Sequence, residues 1–152
     1  MTASLKWTCK KMNELSAAEL YSLLKLRSEI FVVEQNCVYL DPDGKDENAL
    51  HLCGRLPDGT PVAYARLLAP GVSYDEASIG RVAIQIAYRK YGFGKKLMLE
   101  AIEKTCQGFH TNHIRISAQQ YLLRFYSELG FSIMGDAYME DGIPHVEMLL
   151  TK

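Results

Sequence analysis

The most informative part of the chain is Ile79-Gly-Arg-Val-Ala-Ile-Gln-Ile-Ala-Tyr-Arg-Lys-Tyr-Gly-Phe-Gly94. Alternating side chains in its first half predict a β-strand over 77–85, and a short loop with two glycines follows. Beyond the loop, apolar residues recur at helical spacing and predict a helix over 92–106. The stretch therefore predicts a strand, a glycine loop and a helix in direct succession.

The start of this helix is a candidate binding site for phosphate groups. Backbone N–H groups at a helix N-terminus lack partners within the helix and carry the positive end of its dipole, so they attract anions. Gly92 and Gly94 would let a diphosphate approach the backbone, because neither residue has a Cβ atom. Basic side chains cluster around the same position: Arg89, Lys90, Lys95 and Lys96.

A glycine pair before a helix is also compatible with a plain tight turn, and that alternative stays open. Two nucleotide-binding motifs are excluded. The dinucleotide fingerprint GxGxxG is incomplete, because Leu97 stands where its third glycine would be, and the chain contains no GxxxxGK[ST] run. The position is suited to a phosphate group, but through neither of those motifs.

Strands and helices are predicted to alternate along the whole chain. Further strands are expected over 5–11, 50–56, 62–69, 113–117, 131–138 and 144–150. Two further helices are predicted. One begins at a capping box of Ser16 and Glu19 and ends near Val33. The other begins at a cap of Ser117 and Gln120 and stops at Gly130. This alternation predicts an α/β fold, and a length of 152 residues suits a single domain over 1–152.

The composition excludes several classes of protein. A formal net charge of −1 gives no reason to expect nucleic acid or anionic lipid as a partner. The four cysteines form no CxxC pair and no metal-like spacing with histidine, so we expect reduced thiols and no metal site. No signal-peptide core and no run of 18 apolar residues is present, so we expect a cytoplasmic protein without a membrane partner.

Two motifs in sequence order resemble those of a known superfamily. Arg-x-x-Gly-x-Gly at 89–94 is followed by Phe-Tyr-x-x-x-Gly-Phe at 125–131, and the pair resembles the GCN5-related N-acetyltransferases (GNAT). The segments at 31–37, 79–82 and 140–145 are similar to the ElaA-type branch of that superfamily. The resemblance covers roughly residues 15 to 148. It implies the GNAT acyl-CoA N-acyltransferase fold, with a mixed, mostly antiparallel sheet of six or seven strands flanked by three or more helices.

The resemblance also implies an activity. A GNAT enzyme moves an acetyl group from acetyl-coenzyme A to a primary amine by direct attack in a ternary complex, without a metal. The acceptor would be a small-molecule amine or an amine of a protein or peptide, and a homodimer is possible. Two alternatives stay open: a sensor of the same fold that binds acetyl-coenzyme A without catalysis, and an unrelated nucleotide-binding or partner-binding module.

The resemblance assigns cofactor contacts to three parts of the chain. The pantetheine arm would pair with the backbone of the strand at Val82, Ala83 and Ile84. The diphosphate would bind the loop and first helical turn, formed by Arg89, Lys90, Tyr91, Gly92, Phe93, Gly94 and Lys95. Phe125 and Gln119 would complete the site. At Gln119 the superfamily often has asparagine, so the polar contact there is expected to differ.

Tyr126 is the candidate general acid, because a phenol can supply the proton that departing coenzyme A requires. Its position in an apolar stripe also suits a plain core residue. Candidate bases for the acceptor amine are Glu34, His51, His145 and Glu140, although loss of the proton through water would need no dedicated base.

Arg66 and Arg81 interrupt apolar strand faces. A buried arginine without a partner is unfavourable, so each must pair with a carboxylate, face a cleft or lie on the solvated side. One hypothesis is that at least one of them, together with Glu140, forms the acceptor site and binds a substrate carboxylate bidentately.

Overall fold

Seven strands form one sheet within residues 4–152, the part of the chain that the computed structural model describes. Their order across the sheet is β1-β2-β3-β4-β5-β7-β6, and only the β4–β5 pair is parallel. The strands are β1 Lys6–Lys11, β2 Leu50–Arg55, β3 Pro61–Leu68, β4 Ala77–Ile84, β5 His113–Gln119, β6 Ser132–Glu140 and β7 Ile143–Thr151. The predicted α/β class and the mixed, mostly antiparallel sheet are confirmed.

Helix α1 spans Ala17–Arg27 and begins where its capping box predicts. The Ser16 hydroxyl accepts a hydrogen bond of 3.0 Å from the Glu19 amide, and the Glu19 carboxylate accepts one of 2.9 Å from the Ser16 amide. The chain then continues as a π-helical segment, Ser28–Glu34. The predicted end near Val33 therefore lies next to the observed end at Glu34, but the change of helical pitch after Arg27 was not predicted.

Helix α2 spans Phe93–Phe109 and helix α3 spans Leu123–Glu128. The predicted cap of α3 at Ser117 is wrong, because Ser117 lies inside β5 and a 3₁₀ turn, Gln120–Leu122, precedes the helix.

The predicted stop of α3 at Gly130 is confirmed. Gly130 has a φ of +104°, and the Gly130 and Phe131 amides donate to the carbonyls of Ser127 and Tyr126. This Schellman arrangement holds the backbone at Tyr126 in place.

The helices cover both faces of the sheet. Leu97, Met98 and Ala101 of α2 pack with Ala63, Ala65 and Leu67 of β3 in the larger core cluster. Leu23 and Leu26 of α1 pack with Tyr64 of β3 and Ala83 of β4 in a second cluster. Successive side chains of β3 therefore point to opposite helical layers. No helix among residues 4–152 combines the length and the apolar character needed to cross a bilayer.

Candidate active site

The sheet opens between its two parallel strands. Strands β4 and β5 pair only at Ala77 with Ile114 and at Ser78 with Arg115, and beyond these pairs the two strands diverge. A cavity of about 940 Å³ occupies the opening and is lined by β4 from Ile79 to Ile84 and by Ile116, Ser117 and Gln119 of β5. Alternate peptide groups of β4 face away from β3 and towards this cavity. The cleft can therefore accept an extended ligand that pairs with β4.

A β-bulge in β4 accompanies the opening. Tyr64 pairs with Ala83 and Arg66 pairs with Gly80, so β4 carries one residue more than β3 in this interval. Within it, Arg81 has a φ of +51°, a left-handed conformation that is unfavourable for a residue with a Cβ atom. The surrounding structure must hold Arg81 in this conformation.

An ionic cluster beneath the cavity supplies that restraint. The Arg81 guanidinium donates to the Asp41 carboxylate at 2.8 Å, to the Asp41 carbonyl at 3.0 Å and to Asp43 at 3.3 Å. The Arg66 guanidinium donates to Asp43 and Asp46. The fully buried Arg27 donates to Asp41 and Asp46. Three arginines thus face three aspartates, and the loop that carries the acids is tied to α1, β3 and β4.

The ion pairs of Arg66 and Arg81 leave these two arginines less available to a substrate carboxylate than predicted. Arg66 and Arg81 do line the cavity, but protein carboxylates already occupy their guanidinium groups. Of the three situations that the sequence left open, two are observed together, because each arginine pairs with a carboxylate and also lines the cavity. A substrate carboxylate would have to compete with Asp41 and Asp43 for these arginines.

The cluster makes the fold sensitive to acid. Burial raises the pKa of the Asp43 carboxyl, but hydrogen bonds from Arg66 and the Lys45 amide and the positive charges nearby lower it to about 2, against an ordinary 3.8. A carboxyl whose pKa is lowered by folding contributes stability above pH 4 that is lost as the pH falls towards 2.

We expect Asp43→Asn to lower the melting temperature at pH 6 and to reduce its fall between pH 5 and pH 2.5, as measured by calorimetry. The matched control is Asp75→Asn, because the exposed Asp75 forms no ion pair with any residue in the described range. The account of the cluster is contradicted if Asp43→Asn and Asp75→Asn give the same dependence of melting temperature on pH.

The first turn of α2 opens onto the cavity. Gly92 caps the helix in a left-handed conformation with a φ of +74°, and no side chain in the described range 4–152 bonds the amides of the first turn. Gly94 lines the cavity, and a Cβ atom added there would meet only the Phe125 ring, at 3.9 Å. Gly92 is therefore required by its backbone conformation. At Gly94 the protein has room for a side chain, which would enter the cavity.

The structure brings together seven of the predicted cofactor contacts. The predicted residues that line the cavity are Val82, Ala83, Ile84, Arg89, Gly94, Gln119 and Phe125. The exposed Lys90 and Lys95 lie on the adjoining loop and first turn of α2, outside the cavity wall. Tyr91 packs on Phe93, with ring centroids 5.8 Å apart, and Phe93 is buried. Phe93 therefore anchors the turn from inside the core.

Arg89 and Glu34 form a pair at the edge of the cavity. The two terminal nitrogens of Arg89 donate to the Glu34 carboxylate at 2.5 and 2.6 Å, and its Nε donates to the Ile84 carbonyl at 3.0 Å. The hydrogen bonds from Arg89 lower the pKa of Glu34, which makes this carboxylate a poor base. Arg89, which the resemblance assigns to the diphosphate, also joins the glycine loop to the π-helical segment.

Tyr126 lies on α3 and lines the same cavity as β4. The residue is 7% exposed, and its hydroxyl forms no hydrogen bond with any group in residues 4–152. Burial raises the pKa of Tyr126 to about 12. The hydroxyl therefore stays protonated at neutral pH and is free to donate a hydrogen bond into the cavity.

The two candidate histidines lie in different surroundings. His51 is buried away from the cavity, where its Nδ1 accepts from the Tyr64 hydroxyl at 2.7 Å and its Nε2 donates to the Asp46 carbonyl at 2.9 Å. Burial lowers the pKa of His51, so it stays neutral. The structure does not bring this residue to the candidate active site.

His145 does line the cavity, on β7. Its Nδ1 lies 2.7 Å from the Ile143 carbonyl, which can only accept, so Nδ1 carries the proton in the neutral tautomer. The Nε2 atom then has a free lone pair and lies 3.4 Å from the Glu140 carboxylate. The His145 ring stacks on Tyr138. This arrangement fixes the ring and leaves Nε2 able to accept a proton.

Comparison with known proteins identifies the family of the chain. Residues 47–152 match the family profile described as "Acetyltransferase (GNAT) domain". The chain belongs to the GNAT family. Its relatives include a UPF0039 protein of Synechocystis, 42% identical over 95% of this chain and 94% of that protein, and Protein ElaA of Escherichia coli, 38% identical over 95% of both chains.

Solved GNAT structures share the whole architecture. A crystal structure described as an acyl-CoA N-acyltransferase from Pseudomonas aeruginosa superposes with a TM-score of 0.90 at 40% identity, covering 97% of this chain and 100% of that one. Escherichia coli ElaA superposes with a TM-score of 0.89 at 37% identity, covering 96% and 99%. The predicted family, its ElaA-like branch and its fold are confirmed, and the family supports acyl transfer as the general chemistry.

Sequence reasoning missed several residues that shape this GNAT site. Asp41, Asp43 and Asp46 were not predicted as part of the site, although a carboxylate partner was one of the three situations considered for the arginines on β3 and β4. A second missed feature is the hydrogen bond between the Ser117 and Tyr138 hydroxyls, which joins β5 to β6 beside the cavity. No signal in the sequence indicated that contact.

Proposed function

We propose that this GNAT protein transfers an acetyl group from acetyl-coenzyme A to a primary amine, directly and within a ternary complex. One observation carries the proposal. A single cavity receives the first turn of α2, whose amides no side chain of residues 4–152 bonds, the Tyr126 hydroxyl, which has no hydrogen-bond partner in that range, and the edge of β4 from which β5 diverges.

The residues present fit a coenzyme A thioester. The amides at the start of α2 would bind the diphosphate, and exposed Lys90 and Lys95 would add positive charge at its outer side. The peptide groups of β4 that face the cleft would pair with the pantetheine arm. The same groups would donate to the thioester oxygen, on which negative charge develops during attack.

Tyr126 would act at the sulfur. A phenol with a pKa near 12 is a weaker acid than a thiol with an ordinary pKa near 8.5, so complete proton transfer to the thiolate is uphill. Donation of a hydrogen bond to the departing sulfur has no such cost. We therefore assign Tyr126 as a donor that stabilises the thiolate rather than as a source of its proton.

Release of free thiol tests the proposed function. Purified protein is mixed with acetyl-coenzyme A and with each member of an amine panel, and thiol release and the mass of the amine are followed together. We expect thiol release that requires an amine, with one acetyl group gained per thiol. Binding of coenzyme A without amine-dependent thiol release would favour the non-catalytic sensor, and absence of binding would remove both functions.

A further inference from the structure

Most charged side chains that line the cavity are paired with a side chain of opposite charge. The cluster of three arginines and three aspartates is balanced, and Arg89 is paired with Glu34. Both terminal nitrogens of Arg66 bond to aspartates, and the Nε and Nη2 atoms of Arg81 bond to Asp41 and Asp43. No complete guanidinium fork in the cavity wall remains for a ligand carboxylate.

The charges that remain at the cavity are mainly negative. Glu140 and Asp141 form the tip of the β6–β7 hairpin, and Asp141 forms no ion pair within residues 4–152. Within residues 4–152, the one lining cation that is not paired with a carboxylate is Lys45, whose Nζ donates to the Ser73 hydroxyl at 2.9 Å. The wall next to His145 therefore carries uncompensated carboxylates, which attract a cation and repel an anion.

Two buried polar groups show that this wall belongs to a ligand site. His145 is 6% exposed and its Nε2 faces the cavity beside Glu140, while the Tyr126 hydroxyl enters the same cavity without a partner. The Tyr126 hydroxyl has no hydrogen-bond partner within residues 4–152, and His145 Nε2 has only the Glu140 carboxylate near it, at 3.4 Å, so both atoms are open to a ligand in the cavity. The carboxylates of the hairpin tip lie at the entrance to this pair.

We infer that the acceptor is a primary amine with no carboxylate beside its amino group, bound as an ammonium by Glu140 and deprotonated by His145. The inference rests on the proposed function and specifies its acceptor. An α-amino acid would bring its carboxylate against Glu140 and Asp141 with no free arginine to receive it. An amine, or an amino acid whose carboxylate is converted to an amide, meets no such repulsion.

The proton and electron balance is simple. His145 Nε2 takes one proton from the ammonium, and the freed lone pair forms a C–N bond with the acetyl carbonyl carbon. The C–S bond breaks and its electron pair leaves with sulfur, which accepts a hydrogen bond from Tyr126. The second N–H proton goes to the thiolate, and His145 then releases its proton to solvent. Each turnover consumes one ammonium and yields one amide, one thiol and one proton.

Matched acceptors test directly whether a carboxylate beside the amino group prevents acetylation. Three sets are compared: phenethylamine, phenylalanine amide and phenylalanine; isoamylamine, leucine amide and leucine; ethanolamine, serine amide and serine. We expect the acid to show a kcat/KM at least 100-fold below that of its amide in every set that is acetylated, since two like charges about 4 Å apart near a protein surface repel strongly enough for that effect. The amide controls for the size of the added group.

A variant at Glu140 tests whether this carboxylate causes the preference for the amide over the acid. Glu140→Gln should lower kcat/KM for the preferred amine roughly 10-fold and narrow the ratio between amide and acid, with unchanged affinity for coenzyme A. The exposed Glu103→Gln, on the outer face of α2, should change neither quantity. An acid acetylated as fast as its amide overturns the inference while the proposed function stands. Absence of acetylation of every amine, with coenzyme A still bound, overturns the proposed function and the inference together.

Discussion

Gly94→Asp should abolish measurable binding of coenzyme A. The new side chain would enter the cavity at the first turn of α2, because the nearest protein atom to its Cβ is 3.9 Å away in the Phe125 ring. There its carboxylate would meet the diphosphate. Two unit charges about 4 Å apart at an effective dielectric constant near 20 repel by about 4 kcal/mol, which raises the dissociation constant roughly 1,000-fold. Isothermal titration with coenzyme A measures the change.

Two further variants separate charge from bulk and from folding. Gly94→Ala adds a Cβ atom without charge and should weaken binding by less than Gly94→Asp. Leu99→Asp adds the same charge to the same helix at a position that is 52% exposed and outside the cavity, and it should bind coenzyme A normally. A normal affinity in Gly94→Asp would show that the diphosphate does not bind at this turn.

Tyr126→Phe should lower kcat by about 100-fold or more, the usual effect of removing one preorganised donor from a site where charge develops. Affinity for coenzyme A should change little, because the hydroxyl interacts with the sulfur only as the thiolate forms. The ring remains, so its edge-on contacts with Phe125 and Phe131 persist and the fold should be retained. Steady-state kinetics and titration with coenzyme A measure the two effects separately.

The control for this variant is Tyr21→Phe, which removes a hydroxyl from an exposed tyrosine on α1, far from the cavity lining. Its kcat should equal that of the unmodified protein. Tyr126 has no part in the reaction if Tyr126→Phe retains full turnover, and it serves binding alone if kcat is unchanged while the affinity for coenzyme A falls.

Local signals made much of the fold predictable. The Ser16 capping box and the Gly130 stop each depend on side-chain and backbone groups within a few residues of one another, so the sequence contains all the interacting parts. The alternation in β3 correctly separates Ala63 and Ala65 from Tyr64, because a strand changes face at every residue.

Features that depend on long-range pairing were not predictable in this way. The bulge at Arg81 depends on how β4 pairs with β3 on one side and diverges from β5 on the other. The facing residues of both strands are distant from Arg81 in sequence. The ionic cluster likewise joins Arg27, Arg66 and Arg81 to a loop that is 14 to 40 residues away from them. The strand pattern gave a carboxylate partner as one alternative for Arg66 and Arg81, but not which acids would supply it.

Position relative to the cavity separates the two candidate histidines, which their sequence context could not do. His51 and His145 both lie on strands, and each was an equal candidate for the base. Both nitrogens of His51 bond to the protein, whereas His145 bonds through Nδ1 and presents Nε2 to the cavity. The difference follows the strand order: only β5 separates β7 from the opening of the sheet, whereas β3 and β4 separate β2 from it.

The most direct test of the account is a crystal structure of the protein with coenzyme A. The diphosphate should accept hydrogen bonds from the main-chain amides at the start of α2, and the pantetheine arm should lie between β4 and β5 with its sulfur next to the Tyr126 hydroxyl. A bound nucleotide elsewhere on the surface, with the opening between β4 and β5 left empty, would contradict it.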